Sequence, residues 1–136
     1  MGETLSYHCP RCGKTHLISY GWFFRSPATA EQVMNGEYGP RAKKNLERHP
    51  GTNVMFEYLI FRCSCGHARS KEVMTVFDDD RAPWDRDTRR KPVWDNARCS
   101  CSRCGKRMHI TYNEPRSIIC TCGARTEQAL CECLFD

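Results

Sequence analysis

Short alternating stretches dominate the pattern of apolar and polar positions. Leu5 and Tyr7 alternate with polar neighbours over residues 4–8, which predicts a short strand. Thr15 to Tyr20 reads as a second strand, running into Gly21-Trp22-Phe23-Phe24. Val54–Phe61 is the strongest strand signal, being rich in β-branched and aromatic residues, and Lys71–Phe77 follows it. Between these lie two helical signals. Thr29 with Gln32 fits a capping box after Ser26-Pro27-Ala28, and Asn35-Gly36 stops that helix. Pro40 suits the first turn of a second helix, Arg41–Arg48, which Pro50-Gly51 terminates. Val33, Met34, Tyr38, Ala42 and Leu46 give the pair a modest apolar face. Asp78 to Arg98 breaks the pattern with mixed charges and two prolines, and predicts a linker anchored by Trp84 and Trp94. Val93-Trp94 begins the next entry strand. Short strands are expected at Met108–Tyr112, Ser117–Cys120 and Ala129–Leu134, with a turn at Asn113-Glu114-Pro115.

Elements this short bury little apolar surface, so the chain of 136 residues needs a staple. Its 11 cysteines supply one, and they are arranged as a duplication. Cys9-Pro-Arg-Cys12-Gly13-Lys14 returns as Cys101-Ser-Arg-Cys104-Gly105-Lys106, and residues 9–20 and 101–112 share seven identities in twelve positions. Each copy closes on a shorter pair, Cys63-Ser-Cys65-Gly66 and Cys120-Thr-Cys122-Gly123. Between Tyr20 and Cys63 lie 42 residues, against seven between Tyr112 and Cys120, so the first copy carries a large insertion.

A Cys-x-x-Cys-Gly turn folds two thiolates toward one ion, and its glycine can take the positive φ that aims backbone N–H groups at the sulfurs. A tetrahedral metal with sulfur at ~2.3 Å needs its sulfurs ~3.8 Å apart, so each site requires two such pairs. In the Cys-x-Cys pairs, residues i and i+2 of a strand share a face and can lean together. Sequence order groups Cys9, Cys12, Cys63 and Cys65 as one metal site and Cys101, Cys104, Cys120 and Cys122 as the other. Four protein thiolates leave no open coordination position, so the sites read as structural and the chain as no enzyme. His8 and His67 flank ligands and could replace one, with a role supporting the ligands or facing solvent as the plainer reading. His16, His49 and His109 match no paired spacing, and no nucleophile motif or phosphate loop is present.

These knuckles resemble those of zinc ribbons, which rubredoxins also use for iron. The whole layout, with a helical insert carrying Gly36-Glu-Tyr-Gly39, resembles small uncharacterised zinc-ribbon proteins of anaerobic Gram-positive bacteria. The resemblance implies a cytosolic zinc protein and nothing about a substrate. The expected fold is therefore small, metal-stabilised and mainly β with a helical insert, as two zinc ribbons in tandem. Residues 1–77 form the first ribbon with its insert at about 26–50, 78–98 the charged linker, and 99–136 the second, shorter ribbon.

The formal charge of +5 points toward nucleic acid only until the sites are counted. A zinc ion with four thiolates carries a net −2, so two Zn²⁺ per chain bring the total to about +1. Arg11, Lys14, Arg41, Lys43, Lys44 and Arg48 keep nucleic-acid binding as an alternative, and an iron electron carrier is a third reading. No secretory leader or membrane-length apolar run is evident, and Gly2 with Ser6 reads better as strand than as a lipidation signal. A reduced, cytoplasmic setting then favours metal over disulfides. The leading function is a non-catalytic zinc-binding, protein-interaction module. Trp22, Phe23, Phe24 and Tyr38 are its candidate contact residues, with core packing as their plainer role. Cys99, Cys131 and Cys133 fall outside the duplication and are expected to stay metal-free.

Overall fold

The computed structural model describes residues 2–21, 28–81 and 90–128, together with the backbone of 133–135. Among the described residues the chain is mainly β, with two helices, and it forms two compact units. One consists of Met1–Phe23, Tyr58–Glu72 and Arg98–Asp136, and the other of Phe24–Glu57 and Val73–Ala97. The expected division into consecutive ribbons at 1–77 and 99–136 gives way to units that each draw on separated segments.

In the first unit, β1 (Gly2–His8) and β2 (Thr15–Gly21) form an antiparallel hairpin with Leu5 opposite Ile18 and Tyr7 opposite His16. The period-2 alternation turns Leu5, Tyr7, Ile18 and Tyr20 to one face, where they meet Ile60, Ala68 and Ile118 in a small core. Burial raises the Tyr7 phenol to about 12, assisted by the Glu114 carboxylate, and its hydroxyl donates to the Pro115 carbonyl. The other edge of β1 takes up the end of the chain: β8 (Glu127–Gln128) pairs at Tyr7 and His8, and β9 (Cys133–Phe135) at Gly2 to Thr4. β7 (His109–Thr111) pairs with Ile60–Arg62 of β4 (Asn53–Arg62). Thus a strand of the second cysteine copy lies on a strand of the first.

The second unit holds the insert, the N-terminal half of β4 and the C-terminal half of β5 (Ala68–Phe77). α1 (Ala30–Met34) starts with the expected capping box, the Gln32 N–H donating to Thr29 Oγ1 and the Thr29 N–H to Gln32 Oε1. α2 (Pro40–Arg48) places Pro40 in its first turn and buries Ala42 and Leu46. These pack with Val33, Val54, Phe56, Met74 and Val76, and with β3 (Ala28–Thr29), which pairs with β4. Tyr38 lies half-buried, stacked on Phe56 with ring centroids 5.0 Å apart, so core packing is its role. β6 (Trp94–Asp95), expected to open the second ribbon, instead pairs with Thr75 and Val76 of β5, and Trp94 stacks on His49 at 4.6 Å. The Arg90 guanidinium grips Asp79 at 2.7 Å and lies 3.7 Å from the Phe77 ring centre, and this bond holds the Asp79 carboxyl below the usual carboxylate range. Residues 78–97 therefore contribute Asp79, Arg90 and Trp94 to a packed unit. Trp84 and Trp22–Phe24 lie outside the described residues.

Gly51 is the tightest point of this unit, because a Cβ there would lie 2.4 Å from Val76 Cγ1 and 2.6 Å from the Phe77 carbonyl oxygen. Gly51→Ala is expected to lower stability by ~1–3 kcal/mol through forced displacement of β5. Thr29→Ala, which removes only the cap, is expected to cost ~1 kcal/mol. Thermal melting of the two variants tests that order.

Candidate metal centre

Each cysteine pair sits in a tight backbone turn, and the turns come in two repeated forms. In the Cys-x-x-Cys knuckles, the Cys9 N–H donates to the Lys14 carbonyl at 2.9 Å and the Gly13 N–H to the Cys9 carbonyl at 2.9 Å. The second copy repeats both bonds, Cys101 to Lys106 at 2.8 Å and Gly105 to Cys101 at 2.9 Å. Gly13 and Gly105 take φ of 77° and 76°, the left-handed region where a side chain is strained. The Cys-x-Cys segments are turns as well, rather than the extended strand anticipated. Cys63 donates to the His67 carbonyl at 2.9 Å and Cys120 to the Ala124 carbonyl at 2.8 Å. Gly66 and Gly123 complete them at φ of 92° and 94°.

The structure brings all eight expected cysteines together as two groups of four, but the membership differs from sequence order. Cys9 and Cys12 meet Cys120 and Cys122, while Cys63 and Cys65 meet Cys101 and Cys104. Each knuckle is completed by the closing pair of the other copy. The resulting topology is nested: an inner group spanning residues 63–104 lies within the chain limits of an outer group spanning 9–122. Loop length explains why proximity misled. Closure entropy grows only as the logarithm of the loop, so drawing the outer pairs together across a hundred residues costs only a few kcal/mol more than a short closure. The β1–β8 and β4–β7 pairings join the same distant segments.

The spacing within each group suits one metal ion. In the outer group, Cys9 and Cys122 sulfurs are 3.6 Å apart, as are those of Cys12 and Cys120. In the inner group the distances are 3.3 Å for Cys63 with Cys104 and 3.7 Å for Cys65 with Cys101. All sulfurs of a group lie within 4.8 Å of one another. These values sit near the ~3.8 Å edge of a tetrahedral tetrathiolate and far above the ~2.05 Å of a disulfide. Each group also combines buried and accessible sulfurs: Cys9 and Cys120 are buried where Cys12 and Cys122 are exposed, and Cys63 and Cys101 are buried where Cys104 is exposed.

The turns prepare these sulfurs for a cation. The backbone N–H of Cys12 lowers the Cys9 thiol, and that of Cys65 lowers Cys63. The His67 N–H brings Cys65 down to about 6, with Arg103 assisting, and the Cys122 N–H brings Cys120 down to about 5, with His16 assisting. Cys12 and Cys104 go the other way, to about 11. The backbone N–H groups of Lys14 and Lys106 pull them down, but crowding by neighbouring sulfurs outweighs this. A divalent cation relieves that crowding, which is what fits the residues present to a metal.

Further side chains adjoin the groups. His16 Nε2 lies 3.2 Å from Cys120 Sγ, and His67 bonds Ile119 and Ser102. Arg103, beside Cys104, helps to lower the Cys65 thiol, and its backbone N–H donates to Cys101 Sγ at 3.4 Å. No spacing rule singles out His16, because its link to Cys120 spans 104 residues. The position of His67, directly after a Cys-x-Cys-Gly turn, is its only sequence signal. Of the three remaining cysteines, Cys99 is buried with its sulfur 3.8 Å from Met108 Sδ, in neither group. Cys133 pairs through its backbone with Thr4, and Cys131 lies outside the described residues.

No protein-family model matches the chain, and neither a curated protein nor a solved structure does. The assignment of these groups as metal sites therefore rests on the sulfur geometry.

Two outcomes test it. Because Cys12 and Cys104 hold protons at neutral pH while metal-bound thiolates hold none, metal uptake should expel at least one proton per group and affinity should fall as pH falls. Calorimetric titration in buffers of different ionisation heat measures the release. A chain cut once within residues 82–89 should stay associated while metal is bound and separate on chelation, since each half contributes two sulfurs to both groups. Independently loaded halves would restore the tandem grouping.

Proposed function

We infer that this chain is a structural zinc protein, non-catalytic, whose two ribbon-like tetrathiolate centres hold a scaffold for a protein partner. The observation carrying this reading is that each group offers four sulfurs at tetrahedral spacing and so fills the coordination shell of one ion. Four thiolates select soft or borderline ions, zinc before others, with iron in a rubredoxin-like role as the alternative. Reduced thiols at these distances also favour a cytoplasmic setting.

Charge favours a protein partner over nucleic acid. The metal-bearing unit contains eleven basic and six acidic side chains, so it holds the whole excess of +5 that two zinc tetrathiolates largely offset. The other unit has ten of each, although Arg41, Lys43, Lys44 and Arg48 of α2 are exposed. Candidate contacts are Leu17 and Tyr112 in the metal-bearing unit, 67% and 80% exposed.

Elemental analysis should return two zinc per chain and a colourless protein; a red protein holding iron would replace the reading. Cys12→Ser or Cys104→Ser should lose secondary structure throughout the metal-bearing unit, since metal-binding free energy is folding free energy in a unit this small. Full secondary structure after exhaustive chelation would sink the structural role. Leu17→Ser and Tyr112→Ser should melt like the parent chain and lose partner capture.

A further inference from the structure

The two sulfur groups are joined through one buried imidazole. His67 follows the inner closing turn, is 3% exposed, and its own carbonyl accepts the Cys63 N–H. Its Nδ1 lies 2.7 Å from the Ile119 carbonyl oxygen. A carbonyl only accepts, so Nδ1 carries the proton, and Nε2 is left to accept from the Ser102 hydroxyl at 3.2 Å. Ile119 directly precedes Cys120 of the outer group, and Ser102 lies between Cys101 and Cys104 of the inner one. The contact is doubled by the backbone, where the Ile119 N–H donates to the Gly66 carbonyl at 2.9 Å. Gly66 is held close enough that a Cβ would come within 2.6 Å of Ile119 Cγ1. On the far side, His16 meets the His67 ring edge-on, with centroids 5.6 Å apart, and places its own Nε2 beside Cys120 Sγ.

We propose that His67 is a positioning residue that couples the two metal centres, so that filling either one raises the affinity of the other. This rests on the reading that both groups hold zinc. A metal in the inner group fixes the Cys63–His67 turn, which fixes the ring and its bond to Ile119. That bond sets the backbone delivering Cys120 to the outer group. The reverse coupling follows from linkage, with a typical magnitude of roughly 5–150-fold. Two equal, uncoupled sites place about half the molecules in the single-metal form at half-saturation, whereas hundred-fold coupling leaves about a tenth.

Native mass spectrometry of the full chain titrated with Zn²⁺ reads that fraction directly. The parent chain should show a minor single-metal species. His67→Ala should raise it several-fold toward the half of uncoupled sites, held below that value by the remaining Ile119–Gly66 backbone bond, while still reaching two metals at saturation. His67→Asn, whose amide can donate to Ile119 from near the Nδ1 position, should restore the parent pattern. General destabilisation acts in the opposite sense, because a poorly folded metal-free chain loads in a more all-or-none way. If the alanine variant does not fold, the contrast between His67→Asn and His67→Gln decides, since Gln reaches toward Ser102 and not Ile119: only Gln should raise the single-metal fraction. A parent chain with half its molecules singly loaded overturns the coupling and leaves the two sites standing, as does a fraction that stays level or falls in the variants. A parent chain that never reaches two metals overturns the underlying reading as well.

Discussion

Four sulfurs must come within about 4 Å of one another around a single cation. No stretch of this chain can meet that demand alone. The local turns supply sulfurs two at a time, so every group must recruit a second turn from elsewhere. Closing the cysteine-bearing unit is therefore what completes both groups of four sulfurs. The small core of Leu5, Tyr7, Ile18, Ile60 and Ile118 adds only modest apolar burial to segments this far apart in sequence.

The local content of this arrangement was legible in the sequence. The eight paired cysteines, both knuckles, the capping box at Thr29 and the strong strand over Val54–Phe61 all follow from short-range chemistry, and the structure shows the pairs in turns, the box, and a strand over Asn53–Arg62. The partnering of the turns was not legible. A Cys-x-x-Cys-Gly turn presents the same two sulfurs whichever closing pair it meets, and the two closing pairs have the same spacing. What distinguishes them is the strand pairing that delivers them, β8 and β9 beside β1 and β7 beside β4, and short strands such as His109–Thr111 carry too little pattern to name a neighbour.

The described parts of the 78–98 stretch, residues 78–81 and 90–98, depart from the expected linker for a different reason. The charges and prolines of the stretch read as a solvated connector, yet Arg90 is held between Asp79 and Phe77 and Trp94 stacks on His49. A guanidinium can be buried when a carboxylate and an aromatic face share its solvation, and composition alone does not reveal such a pairing. His16 was invisible on the same principle, since its meaning comes wholly from a sulfur far along the chain.

The nested order of the cysteines also bears on how the chain leaves the ribosome. Cys9 and Cys12 are made first, and their partners Cys120 and Cys122 come more than a hundred residues later. At translation rates of ~5–20 residues per second, the first knuckle waits on the order of 5–20 s for its proper mates. During that wait the closing pair at Cys63 and Cys65 emerges with the same spacing, and were an ion bound to the first knuckle, it would be the first pair to meet it. The grouping that sequence order suggests is thus the wrong complex that synthesis offers first.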